Sequence, residues 1–195
     1  TFEGTNIRGQ IEHGVFDNLP NLQSVVCLFQ EKATGYIPPN LFKNNTKLTN
    51  VYHLFSECRG LETATNLSNM FLTTPNLTTI EGLMSNCTNA LIKLDNWFEN
   101  NPNITNTRYA FYNCKNMIGS LNEYPHIITG KSKLTNAEYM FTGCSGISGD
   151  LPSDYFKGCT ALQNINNHFQ NCSGITGSIT TSIWEDCSNI TYANY

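Results

Sequence analysis

The chain has 195 residues, enough for one ordinary domain or one run of repeats. Eleven Lys and Arg against 15 Asp and Glu leave a formal net charge of -4, without the concentrated basic face that a nucleic-acid footprint needs. Charged residues make up only 13% and aromatics 11%, which excludes a disordered chain, and no apolar run approaches the roughly 20 residues of a membrane span. Polarity comes instead from 27 Asn and 22 Thr. Asn favours turns over helices, so the expectation is many short elements joined by tight turns. No signal peptide is recognisable. The chain opens on Thr1 rather than Met, as if cut from something longer or processed.

One short unit recurs: a large apolar residue, two residues, often Cys or Asn, two residues, then Leu, Ile or Met. Its first position is held in chain order by Phe16, Phe29, Phe42, Phe55, Phe71, Met84, Phe98, Phe111, Ile128, Phe141, Phe156, Phe169 and Trp184. Ten of the eleven Phe share this register and only Phe2 falls outside it, which chance does not produce. Two units make one repeat. Residues 1–21 form an N-terminal partial repeat, and residues 22–189 hold six tandem repeats starting at Leu22, Leu48, Leu77, Ile104, Leu134 and Leu162. Ile190 begins a further one, within 190–195. Variable length around a fixed core register is what a solenoid tolerates, because insertions go to outer loops.

Within each repeat the columns have physical meanings. Three residues after the origin stand Val25, Val51, Ile80, Thr107, Ala137 and Ile165, and seven after it Phe29, Phe55, Met84, Phe111, Phe141 and Phe169. These are core columns. Spaced apolar and β-branched residues over about six positions read as a strand, and equivalent strands would stack as a parallel sheet at ~4.8 Å. Thr and Asn fill the first two positions after most origins (Thr49, Asn50, Thr105, Asn106). These columns are either a binding strip or a hydrogen-bonded ladder between coils. A Gly-x-apolar turn follows, at Gly35, Gly119, Gly149 and Gly177, leading into a second extended piece. Pro152 to Phe156 reads as one helical or 3-10 turn capped by Ser153 or Asp154.

Seven of the eight Cys stand three residues after the core aromatic: Cys58, Cys87, Cys114, Cys144, Cys159, Cys172 and Cys187, with Cys27 out of register. Asn45, Thr74, Asn101, Lys32 and Lys131 share that column, so Cys serves there as a small inward side chain. Unpaired, buried thiols are expected, and one cross-coil disulfide stays possible because stacked cysteines come within bonding reach. Phe55, Phe111, Phe141 and Phe169 with Cys58, Cys87, Cys114, Cys144 and Cys172 form the expected structural ladder. No CxxC occurs, and His13, His53, His126 and His168 show no ligand spacing, so no metal and no cofactor is expected. Seven sequons, at Asn44, Asn66, Asn76, Asn86, Asn103, Asn171 and Asn189, fall out of the repeat itself.

The strings from Leu134 to Cys144 (LTNAEYMFTGC) and from Phe169 to Ile179 (FQNCSGITGSI) resemble the BspA-like leucine-rich repeats, bacterial surface protein repeats of about 26 residues that also have counterparts in gut-phage tail proteins. The resemblance runs from Phe16 to Ile190 and departs at Met84, Ile128 and the irregular Asn116–Lys133 stretch. It implies an α/β-type, mostly β solenoid: a leucine-rich-repeat right-handed superhelix with a parallel strand ladder and short helical or 3-10 turns on the outer side. It implies adhesion or recognition on a bacterial cell surface or phage tail, and it supplies no catalytic residues.

No nucleophile elbow, phosphate loop or dinucleotide fingerprint is present, so no enzyme is expected. The columns four and five after the origin vary in charge and size. Tyr52, Arg108, Tyr109, Glu138 and Tyr139 stand there and form the candidate recognition patch, since aromatic and Arg residues dominate interface energetics. The expected partner is a protein or glycan on a host or neighbouring cell surface, met in an extracellular, cell-surface or virion-surface setting, with no nucleic acid and no membrane insertion. No polar cap is recognisable at the C-terminus, so self-association or an adjacent domain at the solenoid ends is the second expectation. It would make the chain an assembly unit of a filament or virion.

Overall fold

A computed structural model describes residues 8–64, 67–95, 97–124 and 127–194. The Asn66 sequon, His126 and the outermost parts of the two terminal segments (1–7 and 195) lie outside the described residues. The chain coils into a parallel solenoid. Each coil adds one strand beside the last: β1 (Gly9–Gln10), β2 (Ala33–Tyr36), β3 (Gly60–Ala64), β4 (Leu91–Lys93), β5 (Met117–Ser120), β6 (Ile147–Asp150) and β7 (Gly174–Thr176). Among the described residues they form a seven-stranded sheet in sequence order, every pair parallel. Among the described residues helix is limited to α1 (Leu67–Met70) and one 3-10 turn (Thr181–Trp184).

The main sheet does not sit where the core spacing placed it. The stretch after each origin contributes one bridge residue per coil: Ser24, Asn50, Thr79, Asn106, Asn136, Asn164 and Tyr192, each paired to the next. The strands occupy the segments that read as Gly-x-apolar turns. Two local devices explain this. The bridge residue turns the chain: Asn50, Asn106, Asn136 and Asn164 accept the backbone N–H two residues on through Oδ1, at 2.9 to 3.0 Å. This local bond competes with a longer strand. Three residues later Cys27, His53, Gly82, Tyr109, Tyr139 and Asn167 adopt φ between 49° and 62°, the left-handed region that ends an extended run. The expected turn from Pro152 to Phe156 is a hydrogen-bonded turn without helix, closed by Tyr155 N–H on Pro152 O at 3.1 Å.

Pairing between coils continues through these turns. Val25, Cys27, Phe29 and Glu31 donate their N–H groups to the carbonyls of Asn50, Tyr52, Leu54 and Ser56 in the next coil, at 2.9 to 3.1 Å. Buried backbone groups therefore stay satisfied without regular strand geometry.

Two aromatic columns fill the interior. Phe29 stacks on Phe55 at 5.7 Å, and Phe141 lies between Phe111 (5.6 Å) and Phe169 (5.7 Å). In the second column Phe42 lies between Phe16 (5.1 Å) and Phe71 (5.9 Å), and Phe156 stacks on Trp184 at 5.5 Å. Met84 and Ile128, the departures from the aromatic pattern, are buried in the same columns. They keep the volume without the ring, a swap that cores tolerate.

The seven cysteines in register are free and buried. Each thiol donates across the coil boundary. Cys58 reaches Phe29 O at 2.8 Å, Cys87 reaches Phe55 O at 2.9 Å, and Cys114 reaches Met84 O at 3.1 Å. Cys144 and Cys172 reach Phe111 O and Phe141 O, both at 3.0 Å. In the second half-coil Asn45 and Asn101 do the same work, donating from Nδ2 to Phe16 O (3.1 Å) and Phe71 O (3.2 Å). The Cys-or-Asn column is thus a column of short donors aimed at one carbonyl. Thr49, Thr78, Thr105 and Thr135 form a further ladder, each hydroxyl donating to the carbonyl of its counterpart one coil back at 2.9 to 3.1 Å. Its partner is backbone, not the neighbouring Thr side chain.

Candidate functional site

The predicted patch lies on the tight turns beyond the bridge residues rather than on the strands of the main sheet. Four of its five residues come together. Arg108 Nε donates to Glu138 Oε2 at 2.7 Å, and Arg108 Nη1 stands 3.9 Å from Glu81 Oε1. The Arg108 guanidinium carbon lies 4.6 Å from the Tyr109 ring centre, within cation–π range. Tyr109 stacks on Tyr139 at 4.9 Å with the rings 9° from parallel. Tyr52 shares the column with Arg108 two coils earlier, but its ring packs on His53 at 4.3 Å rather than joining the tyrosines.

The backbone explains why these side chains meet. Tyr109 and Tyr139 occupy equivalent left-handed positions, at φ 54° and 56°. A bulky residue there costs roughly 1–3 kcal/mol, and the same conformation in adjacent coils aims both rings the same way. In the equivalent place of the third coil stands Gly82. A Cβ on it would lie 2.5 Å from Cε1 of His53, so the missing side chain makes room for the imidazole. Burial lowers the His53 pKa, partly opposed by Glu81 and Glu57.

Two residues complete the surface that sequence reasoning left out. Tyr112 packs edge-on against Tyr109 at 5.4 Å and Tyr139 at 6.3 Å. Glu81, in the Arg108 column, accepts from Asn106 Nδ2 at 2.8 Å as well as facing Arg108. Its column was a usable signal, whereas nothing in the spacing singles out Tyr112, one residue after a core Phe. Burial raises the Tyr109 pKa against the opposing pull of Arg108. Burial acts to lower that of Arg108, but Tyr109 and Glu138 outweigh it and the net shift is upward. The guanidinium is charged at every physiological pH.

The surface therefore offers three tyrosines and a fixed cation between two carboxylates. All are half-buried. It can stack, donate and accept, and it carries no nucleophile–base pair. Among the described residues no group of three or more His, Cys, Asp or Glu could hold a metal ion. No helix among them is long and apolar enough to cross a membrane.

Fold and register together define a leucine-rich-repeat-type parallel solenoid. No protein-family model matches the chain, and no curated protein matches it. Among solved structures, it is similar to a plant peptide hormone receptor, RGFR1, solved in complex with RGF2, at 16% identity and a TM-score of 0.42. That likeness covers 97% of this chain, which spans 34% of the receptor chain. It is also similar to a leucine-rich cell surface protein from Faecalibacterium prausnitzii A2-165, at 14% identity and a TM-score of 0.25, covering 91% of this chain and 74% of the other.

Proposed function

We propose that the chain is an extracellular recognition module that binds a protein or glycan partner through the Arg108–Tyr109–Tyr112–Glu138–Tyr139 surface. The observation that carries this reading is the tyrosine stack itself. Two rings of 4.9 Å separation stand on strained backbone, flanked by Arg108, at columns the core does not need. Rigid aromatic and Arg groups are the side chains that carry most interface energy, and they lose little entropy on binding. Function stands on a site rather than on a fold, and among the described residues this cluster joins three tyrosines and an arginine outside the core. A bacterial surface or a phage tail is the setting that the repeat resemblance favours. No cofactor takes part.

The test is a screen of the isolated chain against arrays of surface glycans and of cell-surface proteins, run in parallel with Tyr109→Ala/Tyr139→Ala. A partner held by the wild type and lost by the folded double variant is the expected result. Equal binding by both would remove the patch from the account.

A further inference from the structure

A second surface runs along the solenoid on the other side of the bridge residues from the tyrosines. In all seven coils the five positions from two before the origin to two after it hold no Asp or Glu, although the chain has 15. Lys47 and Lys133, both exposed, stand directly before their origins. Lys47 Nζ donates to Asn21 Oδ1 at 2.8 Å, and Lys133 Nζ donates to Asn103 Oδ1 at 2.6 Å. Among the described residues neither meets a carboxylate. Both lean one coil back, so three coil steps of ~4.8 Å leave the two ammonium groups roughly 14 Å apart along the axis.

Between them runs a shallow groove of about 680 Å³, lined in part by Thr49, Thr78 and Thr105 and by Asn76 and Asn103. The three hydroxyls have spent their hydrogens on backbone carbonyls one coil back, at 2.9 to 3.1 Å. What each has left is lone pairs. Asn76 and Asn103 are held in the same way, each Nδ2 donating to a backbone carbonyl, Thr46 O at 3.0 Å and Pro75 O at 2.9 Å. The groove therefore offers cationic donors at both ends and mainly acceptors between them.

We propose that this groove binds an acidic polysaccharide, a chain of uronate rings lying along the solenoid axis. The ligand has to accept from an ammonium at each end and donate in the middle. Carboxylates do the first and ring hydroxyls the second. A polyuronate carries a carboxylate and free hydroxyls on every ring, so some pair of its acids spans the two lysines. A neutral glycan lacks the anions. An extended acidic peptide brings one backbone carbonyl for every N–H, and those carbonyls would face acceptors. Two cations are too few for a nucleic acid, which needs several phosphate contacts. None of the groove's residues belongs to the tyrosine surface, so the two sites stand or fall separately.

The probes are hexamers of mannuronate and of galacturonate, titrated into the chain by isothermal calorimetry with EDTA present, so that no calcium bridges acids. The comparisons are the galacturonate methyl ester, which keeps the hydroxyls without the charge, and an extended peptide of alternating Asp and Ser. The expected result is saturable binding of at least one uronate hexamer, weakened by raised salt, and weaker or no binding of the ester and the peptide. Lys47→Gln and Lys133→Gln, both folded by circular dichroism, each weaken it roughly fivefold, and Tyr109→Ala/Tyr139→Ala leaves it unchanged. Binding of neither hexamer, equal binding of the ester or the peptide, full affinity in either lysine variant, or loss in the tyrosine variant would each overturn the proposal.

Discussion

Replacing His168 by Met tests the interior at the one buried imidazole among the described residues. The equivalent positions are Leu28, Leu54, Leu83, Ala110 and Met140. His168 is 5% exposed and lies edge-on to Phe141, Phe156 and Phe169 at 4.5 to 5.7 Å. Its Nδ1–H donates to Ala137 O at 2.6 Å, and Nε2 then accepts from the Tyr155 hydroxyl. The Nε2 bond requires the neutral ring, whereas the Nδ1–H bond survives protonation. Burial pushes its pKa down from 6.5 to about 4, the Ala137 bond opposing. The folded pKa is depressed, so the unfolded chain takes up the proton first. The stability that His168 contributes is fully present above pH 6.5, falls as pH drops through the window from 6.5 to about 4, and levels off below it. At about 1.4 kcal/mol per pH unit, the loss across that window is about 3 kcal/mol. Urea unfolding followed by circular dichroism at pH 7, 6, 5 and 4 measures it. The wild type loses about 3 kcal/mol more than His168→Met between pH 7 and 4. The comparison cancels the carboxylates and the other imidazoles common to both. The variant leaves the Tyr155 hydroxyl without its acceptor and is the less stable at pH 7, so the slope and not the intercept is the test. Parallel pH profiles would refute the neutral, buried assignment.

Three further outcomes follow from the ladders and columns. Phe141→Ala, between two stacked rings, costs about 3–5 kcal/mol in urea unfolding, whereas Glu138→Ala, a partly exposed ion-pair partner, costs under about 1 kcal/mol. Cys114→Val fills the site but removes the thiol bond to Met84 O, which keeps the Cys87 N–H at 3.1 Å, and costs about 0.5–1.5 kcal/mol; a neutral effect would mean the thiol only packs. In thiol counting with an aromatic disulfide at pH 8, at most the half-buried Cys27 reacts quickly in native protein, and all eight react after denaturation. Burial pushes the thiols of Cys159 and Cys172 up to about 12 and about 11, so little thiolate forms. Rapid reaction of several native thiols would contradict the ladder.

The columns were legible in sequence because core identity is written in side-chain chemistry. Phe55, Phe111 and Phe141 repeat, and Cys alternates with Asn where a short donor is needed. The position of the sheet was not legible. The segment from Ile104 to Phe111 and the segment from Met117 to Leu121 both alternate, and the first is the more β-branched. Its extended run is cut by Asn106, which bonds its own backbone, and by Tyr109 at positive φ. A Gly or Asn at each left-handed position would have announced the turn, but here Cys27, His53, Tyr109 and Tyr139 hold most of that column. The same fact hid the geometry of the patch. Column variation found Arg108, Tyr109, Glu138 and Tyr139, while the stacking, and the place of Tyr112 against it, come from the shared left-handed turn.

The most direct test sets the tyrosine surface against the open face of the main sheet, where Leu91 and Ile118 stand exposed at 40% and 44%. With a partner from the array screen, the dissociation constant is measured for wild type, Tyr109→Ala/Tyr139→Ala and Leu91→Ser/Ile118→Ser, with circular dichroism on each sample. The account predicts a loss of at least tenfold for the tyrosine variant and unchanged affinity for the sheet variant, both folded. The reverse pattern would contradict it and move recognition to the strands.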